Sequence, residues 1–343
     1  MMNTKAPYNK PVKKILKEFF LKNRFLTGCA LKLTSDYPKI FLYHRFCASG
    51  STVWGGISQD EFAWQLAKMT RSFEIITFSE FLQRKRTRIS TKNCAVITVD
   101  DGYRDFYLYA YPVLKSSGVP ATLFVTSEFI HQRIWLWPDK LKHIIRKLEP
   151  GSYQFTFGDS CFVINTQDEA HALASWLELS SVCTRLPVVE RDQLIGAFSA
   201  AMDIGVPELP GDDYAACSWD ELREMQAAGI ETGSHTLTHP VLSRIPVADM
   251  ITEVRDSKGE IERMLGTPVT TFCYPHGGMK DINAAVVKAV ADAGYSGAAH
   301  GNPPRDWNPF LVPRMGADDD RLEFIWRFCG MEYLTARVKA KLC

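Results

Sequence analysis

The stretch "TVDDG" at residues 98–102 ends an apolar run with two adjacent carboxylates, Asp100 and Asp101. A second stretch, "SHTLTH" at 234–239, sets His235 and His239 four positions apart. On one turn of helix or a helical loop, that spacing points both imidazoles at one ion. Two neutral imidazoles and a carboxylate suit zinc first and other first-row metals next. Three protein ligands leave positions open for water and substrate. Other polar groups also close apolar runs: His44 ends "FLYH", and Tyr274, Pro275 and His276 end "TTFCYPH".

Something must bring residues 44 to 276 together. "KIFLYH", "NCAVITV", "PATLFVT", "IETGS", "VTTFCY" and "YSGAAH" read as buried strands, with helical segments between most of them. Ser58 with Glu61, and Ser218 with Glu221, are capping-box pairs that open two of those helices. Strand alternating with helix implies right-handed crossovers and a parallel sheet with helices outside. About seven such units favour an α/β fold of the distorted (β/α)7-type barrel over an open doubly wound sheet. In either layout the C-terminal strand ends share one rim, and His44, Asp100, Asp101, His235, His239, Tyr274 and His276 all fall there.

The remaining composition narrows the class. The chain has 343 residues, 46% hydrophobic and 23% charged, with a net charge of +1, so no global field selects nucleic acid as a partner. Its nine cysteines are odd in number and form no CxxC, which points to reduced thiols and a cytoplasmic location. Residues 1–39 carry nine Lys/Arg against two acids, whereas residues 149–217 carry eleven acids against two Arg. Val12, Ile15, Leu16, Phe19, Phe20 and Leu26 fall at helical spacing among those lysines. Residues 1–37 therefore read as a basic amphipathic helix. It either packs on the domain or makes peripheral contact with the inner membrane face through residues 12–33. No run reaches the roughly 18 apolar residues of a membrane span, and no secretory apolar core is visible. Residues 38–343 read as the barrel domain, interrupted by an insertion at about 130–217.

The three stretches "TVDDG", "SHTLTH" and "FCYPHGG" resemble the motifs of the polysaccharide deacetylase family, carbohydrate esterase family four. The resemblance spans roughly residues 38–315 and is poor across the insertion. "FLYHRF" lies before "TVDDG", and no Leu-x-His motif follows near the C-terminus. That order resembles the circularly permuted branch, which includes bacterial exopolysaccharide deacetylases. The resemblance implies a metal-dependent hydrolase that removes N-acetyl groups from a polysaccharide, oligosaccharide or lipid-linked glycan. It implies Asp101, His235 and His239 as ligands of a divalent metal, Asp100 as general base and His44 as catalytic acid. The His276 N–H is the candidate oxyanion donor.

Where many relatives carry an Arg that orients the base, this chain has Cys273, and Arg314 is the candidate replacement. Asp306 resembles a weak fourth motif, in which an acid partners the catalytic histidine. Tyr103 and Tyr274 are candidate substrate contacts, and Trp137, with Trp135, a candidate platform for a pyranose ring. Two other readings use the same rim: an O-deacetylase, and a carbohydrate-binding module without turnover.

Overall fold

The described residues build thirteen strands: β1 (Lys39–Tyr43), β2 (Arg45–Cys47), β3 (Gly56–Ser58), β4 (Glu74–Ile75), β5 (Cys94–Val99), β6 (Ala121–Val125), β7 (Ser152–Phe157), β8 (Ser160–Asn165), β9 (Ile230–Ser234), β10 (Thr271–Cys273), β11 (Gly297–His300), β12 (Val312–Pro313) and β13 (Met315–Gly316). The structure is a computed structural model and describes residues 17, 18, 20, 23–301, 307–317 and 319–335. The main sheet runs β12-β11-β10-β9-β6-β5-β1-β13, with β4 beside β5, and all its pairings are parallel.

The two ends of that order are consecutive in sequence. Only Arg314 separates β12, which pairs with β11, from β13, which pairs with β1. At the junction Arg314 N donates to His300 O at 2.9 Å and Ala317 N donates to Leu42 O at 2.7 Å. One extended segment, residues 312–316, thus joins both edges of the sheet. Counted as one strand, it completes a seven-stranded, nearly closed barrel.

Burial on both faces explains the composition. Every residue of β5 (CAVITV) and β6 (ATLFV) is buried, as a parallel sheet wrapped by helices requires. The crossover helices start and stop on local chemistry. Ser218 and Glu221 form a reciprocal capping box, while Ser58 accepts from Glu61 N without the return bond. Gly118 ends the helix Tyr111–Ser117 in the left-handed region. Ahead of that helix, residues 106–110 widen into a π-helical turn.

The insertion has a core of its own. The helices Trp137–Lys147, Glu169–Cys183 and Val188–Ala201 pack with the antiparallel hairpin β7–β8 around Trp137, Ile144, Phe155, Leu179 and Phe198. Trp54, from the loop before β3, joins that cluster.

The N-terminal segment differs from the single helix expected. Asn23 interrupts it, accepting hydrogen bonds from Phe25 N and Leu26 N as the cap of a separate helix, Arg24–Leu33. Before the break, Lys17 Nζ lies 2.5 Å from Glu323 Oε1, and Phe20 meets Trp326 edge-on at 5.8 Å. The described part of the segment therefore docks on the helix Arg321–Phe328. Val12, Ile15, Leu16 and Phe19 lie outside the described residues. No described helix is long and apolar enough to cross a membrane. The eight cysteines among the described residues are all free.

Lys39, at the start of β1, is 2% exposed and donates to the Thr34 carbonyl at 3.2 Å and hydroxyl at 2.9 Å. Burial draws its pKa from 10.5 down to about 8. Below about pH 8 the folded state carries a buried charge, whereas the unfolded chain stays protonated up to about 10.5. Stability therefore rises with pH across that window, because the unfolded state binds more protons there. Lys39→Met should raise the melting temperature at pH 7, by at most about 3 kcal/mol of stability. The advantage should vanish above pH 10.5. Paired thermal melts at the two pH values check this.

Candidate active site

Local backbone reversals aim the rim residues inward. Asp100 N still bonds Tyr43 O at 3.0 Å, as a continuation of the sheet. Asp101 then takes a φ of +77° and Gly102 of +93°. That turn breaks strand alternation and lets both neighbouring carboxylates line one cavity. A Cβ on Gly102 would sit 2.7 Å from Ile130 Cδ1, so space as well as torsion selects glycine.

Thr236 (+71°), His239 (+62°) and His276 (+62°) repeat the device after β9 and β10. Four of the eight described non-glycine residues with positive φ thus belong to this rim, where backbone strain serves geometry. Residues 235–240 form an irregular loop, not the helical turn expected for "SHTLTH". Glu253, on the buried stripe of the helix Val247–Leu265, clamps that loop. It accepts Leu237 N and Thr238 N at 2.9 Å each, and Thr238 Oγ1 at 2.5 Å.

Asp101 Oδ1 lies 3.4 Å from His235 Nε2 and 3.2 Å from His239 Nε2, and all three residues are buried. His235 Nδ1 donates to the Cys273 carbonyl at 2.8 Å, which turns the Nε2 lone pair toward Asp101. Burial alone would push the Asp101 carboxyl up, but the two facing imidazoles hold it well below the usual carboxylate range. Asp101 Oδ1 and His239 Nδ1 are buried without a hydrogen bond among the described residues. A carboxylate oxygen and two ring nitrogens, mutually within 4.8 Å, fit a divalent cation better than one another.

Asp100 is held by a different charge. Arg314 donates Nη1 to Oδ1 and Nη2 to Oδ2, both at 2.7 Å, in a fork-to-fork pair with both side chains buried. The same guanidinium reaches Thr98 Oγ1 at 3.1 Å and Cys273 Sγ at 3.0 Å. Burial would raise the Asp100 carboxyl, and Arg314 pulls it below its ordinary value. Cys273 therefore fills the space beside Asp100 while Arg314 brings the charge from the closing segment. On the open side, His44 Nε2 stands 3.8 Å from Asp100 Oδ2, and its side chain is 45% exposed.

The structure brings His44, Asp100, Asp101, Tyr103, His235, His239, Tyr274, His276 and Arg314 into the lining of one cavity of about 470 Å³. Burial and the neighbouring imidazoles keep His276 neutral, its pKa well below the ordinary value. The hydroxyls of Tyr103 and Tyr274 are engaged, with Asp139 Oδ2 at 2.5 Å and Phe310 O at 2.9 Å. Trp137 is not an open platform. It is 4% exposed, packs in the insertion's core and leans on His276 with ring centroids 5.5 Å apart; Trp135 is 5% exposed. Trp54 and Trp176 are the tryptophans that line the cavity. Asp306 lies outside the described residues. Sequence reasoning missed Glu253, although an acid on a helix's apolar stripe was the signal available.

Three comparisons bear on this arrangement. The family model described as polysaccharide deacetylase matches residues 87–150 and 161–298. YxkH of Bacillus subtilis (strain 168), named as a candidate polysaccharide deacetylase, is 28% identical over 142 residues. That alignment covers 41% of this chain and 50% of YxkH, so the chain matches about half the length of that relative. Among solved structures, the Streptococcus pyogenes deacetylase PplD in complex with acetate aligns with a TM-score of 0.54 and 16% identity. It covers 84% of this chain and 96% of that one. IcaB from Ammonifex degensii aligns with a TM-score of 0.54 and 17% identity over 87% and 97%. At these identities the likeness is one of fold.

Glu253→Ala leaves two loop N–H groups and a hydroxyl without their acceptor. It should weaken divalent-metal affinity about tenfold and lower the melting temperature. Titration of the metal-stripped protein reads the first effect; Glu253→Gln should fall between.

Proposed function

The chain belongs to the polysaccharide deacetylase family, and we propose that it is a metal-dependent hydrolase removing N-acetyl groups from a glycan, with release of acetate. The observation that carries this reading is the convergence of a cation-fitting trio, an Arg-held carboxylate and a half-exposed imidazole on one cavity. Asp101, His235 and His239 would hold the metal, zinc being the first candidate for this donor set. Such an ion, when bound, polarises an acyl carbonyl and acidifies a water.

The chain's own groups do the rest. Asp100, kept ionised by Arg314, accepts the proton of the attacking water. The His276 backbone N–H, in the loop after β10, donates to the oxygen on which charge develops. His44, across from Asp100, protonates the departing amine, which cannot leave as an anion. Arg314 is a positioning residue, since it fixes both oxygens of the base.

The strand that ends just before His44 precedes "TVDDG", which supports a place in the permuted branch. An exopolysaccharide or a lipid-linked precursor is the substrate class proposed, acted on at the cytoplasmic membrane face. The excess of Lys/Arg in residues 1–39 supports that placement. An ester-cleaving activity would use the same groups, without needing His44 to protonate an amine.

Asp100→Asn should retain metal and lose acetate release by at least about 100-fold. The assay is an acetate-release screen over N-acetylated glycans and matched O-acetyl esters, with metal analysis of the same samples. Full turnover by Asp100→Asn removes Asp100 as base. Faster ester cleavage makes the protein an O-deacetylase, and tight glycan binding without acetate release by the metal-loaded protein makes it a binding module.

A further inference from the structure

Beside the metal trio, the cavity wall carries two buried cations that the proposed reaction does not use. Arg45 directly follows His44 and is 6% exposed; Lys142, from the insertion helix Trp137–Lys147, is 4% exposed. Both line the same cavity as Asp101 and His235.

Their partners leave donors spare. The Arg45 guanidinium lies over the Tyr103 ring at 4.1 Å, gives Nε to Asp105 Oδ2 at 2.5 Å and bonds the Asp213 carbonyl through Nη2. Its Nη1 makes no hydrogen bond among the described residues and stands 3.8 Å from Asp139 Oδ1. Lys142 Nζ reaches the same oxygen at 3.5 Å, and the Trp176 ring centroid at 4.8 Å. Asp139 gives its other oxygen to the Tyr103 hydroxyl. Two cations therefore flank one oxygen, each beyond ordinary hydrogen-bond length. Leaving the buried Arg45 Nη1 unfilled is costly, and a ligand anion, with the Lys142 ammonium beside it, is the group that would fill it.

We propose that Arg45 and Lys142 form a subsite for an anionic substituent, a carboxylate or a phosphate, carried by the glycan near the acetamide that is cleaved. The acetamide half of this statement rests on the deacetylase reading; the anion half rests on the wall alone. Trp176, with Nε1 tied to the Pro138 carbonyl at 2.9 Å, gives the adjoining ring a fixed aromatic face. Since Lys142 and Trp176 both belong to the insertion, the insertion sets substrate choice.

Three probes on one N-acetylated oligosaccharide backbone test this: neutral, carboxylate-bearing and phosphate-bearing. For wild-type protein, kcat/KM for at least one anionic probe should exceed that for the neutral probe by about tenfold or more. The arm that wins identifies the anion. Lys142→Met should lower the anionic-to-neutral ratio clearly below the wild-type value, and Lys142→Arg should preserve it. Calorimetric binding of the same probes to metal-free protein supplies a readout without turnover, where the same ratio should hold. Equal affinity of wild-type protein for all three probes, or a ratio unchanged in Lys142→Met, overturns the subsite. If no probe releases acetate but anionic probes still bind more tightly in a Lys142-dependent way, the deacetylase reading falls and the subsite stands. If Lys142→Met does not fold, the wild-type ratio and its retention in Lys142→Arg decide the matter.

Discussion

A buried guanidinium and a buried carboxylate are tolerable only together. Arg314 and Asp100 meet through two 2.7 Å hydrogen bonds, and loss of either partner would strand a charge at a cost of about 3–5 kcal/mol. The pair does two jobs at once. It keeps Asp100 ionised at the mouth of the barrel, and it anchors the residue between β12 and β13 to the end of β5. Closure of the sheet and fixation of the Asp100 carboxylate therefore share one residue. Cys273 and Thr98 complete the guanidinium's surroundings, which explains how a small thiol stands where an arginine was anticipated.

The cluster of Asp101, His235 and His239 depends on a different device. Asp101, Thr236, His239 and His276 all adopt left-handed backbone conformations that their side chains disfavour. Such torsions persist only where surrounding contacts over-determine them. Glu253 supplies three such contacts to the 237–238 loop, and Gly102 fits only because it has no Cβ. The walls around this rigid floor come partly from elsewhere in the sequence. The insertion brings its own core and contributes Asp139, Lys142 and Trp176 to the cavity.

The barrel was legible because its signals are local and repeated. Continuous apolar runs ending in polar residues mark buried parallel strands, and capping pairs mark the helices between them. Asp100, Asp101, His235 and His44 each sit where such a run stops, with His239 four positions after His235, so the rim followed from strand order. What stayed hidden depends on torsions or on contacts between distant segments. Nothing in Thr236 or His239 advertises a positive φ, so the four-residue histidine spacing read as one turn of helix or a helical loop. Arg314 could be named only as a candidate partner for the base, because its fork-to-fork pairing exists only once residues 312–316 bridge two strands that are far apart in sequence. Trp137 read as a sugar platform because its type fits one, while its burial is set by a core that the acidic composition of the insertion concealed. The hairpin β7–β8 was missed for the same reason, although "SYQFTF" alternates and Gly158 turns the chain.

The seam at residues 312–316 has a consequence for how the molecule comes into being. Until that segment is in place, β1 and β11 each present an unpaired row of backbone donors and acceptors. On a ribosome, which delivers the chain from its N-terminus, that exposure lasts until most of the sequence has been made. Open parallel edges are templates for pairing with other chains. The nascent protein thus keeps two open sheet edges until residues 312–316 arrive, and the residue at the centre of that seam is the one that also pairs with Asp100.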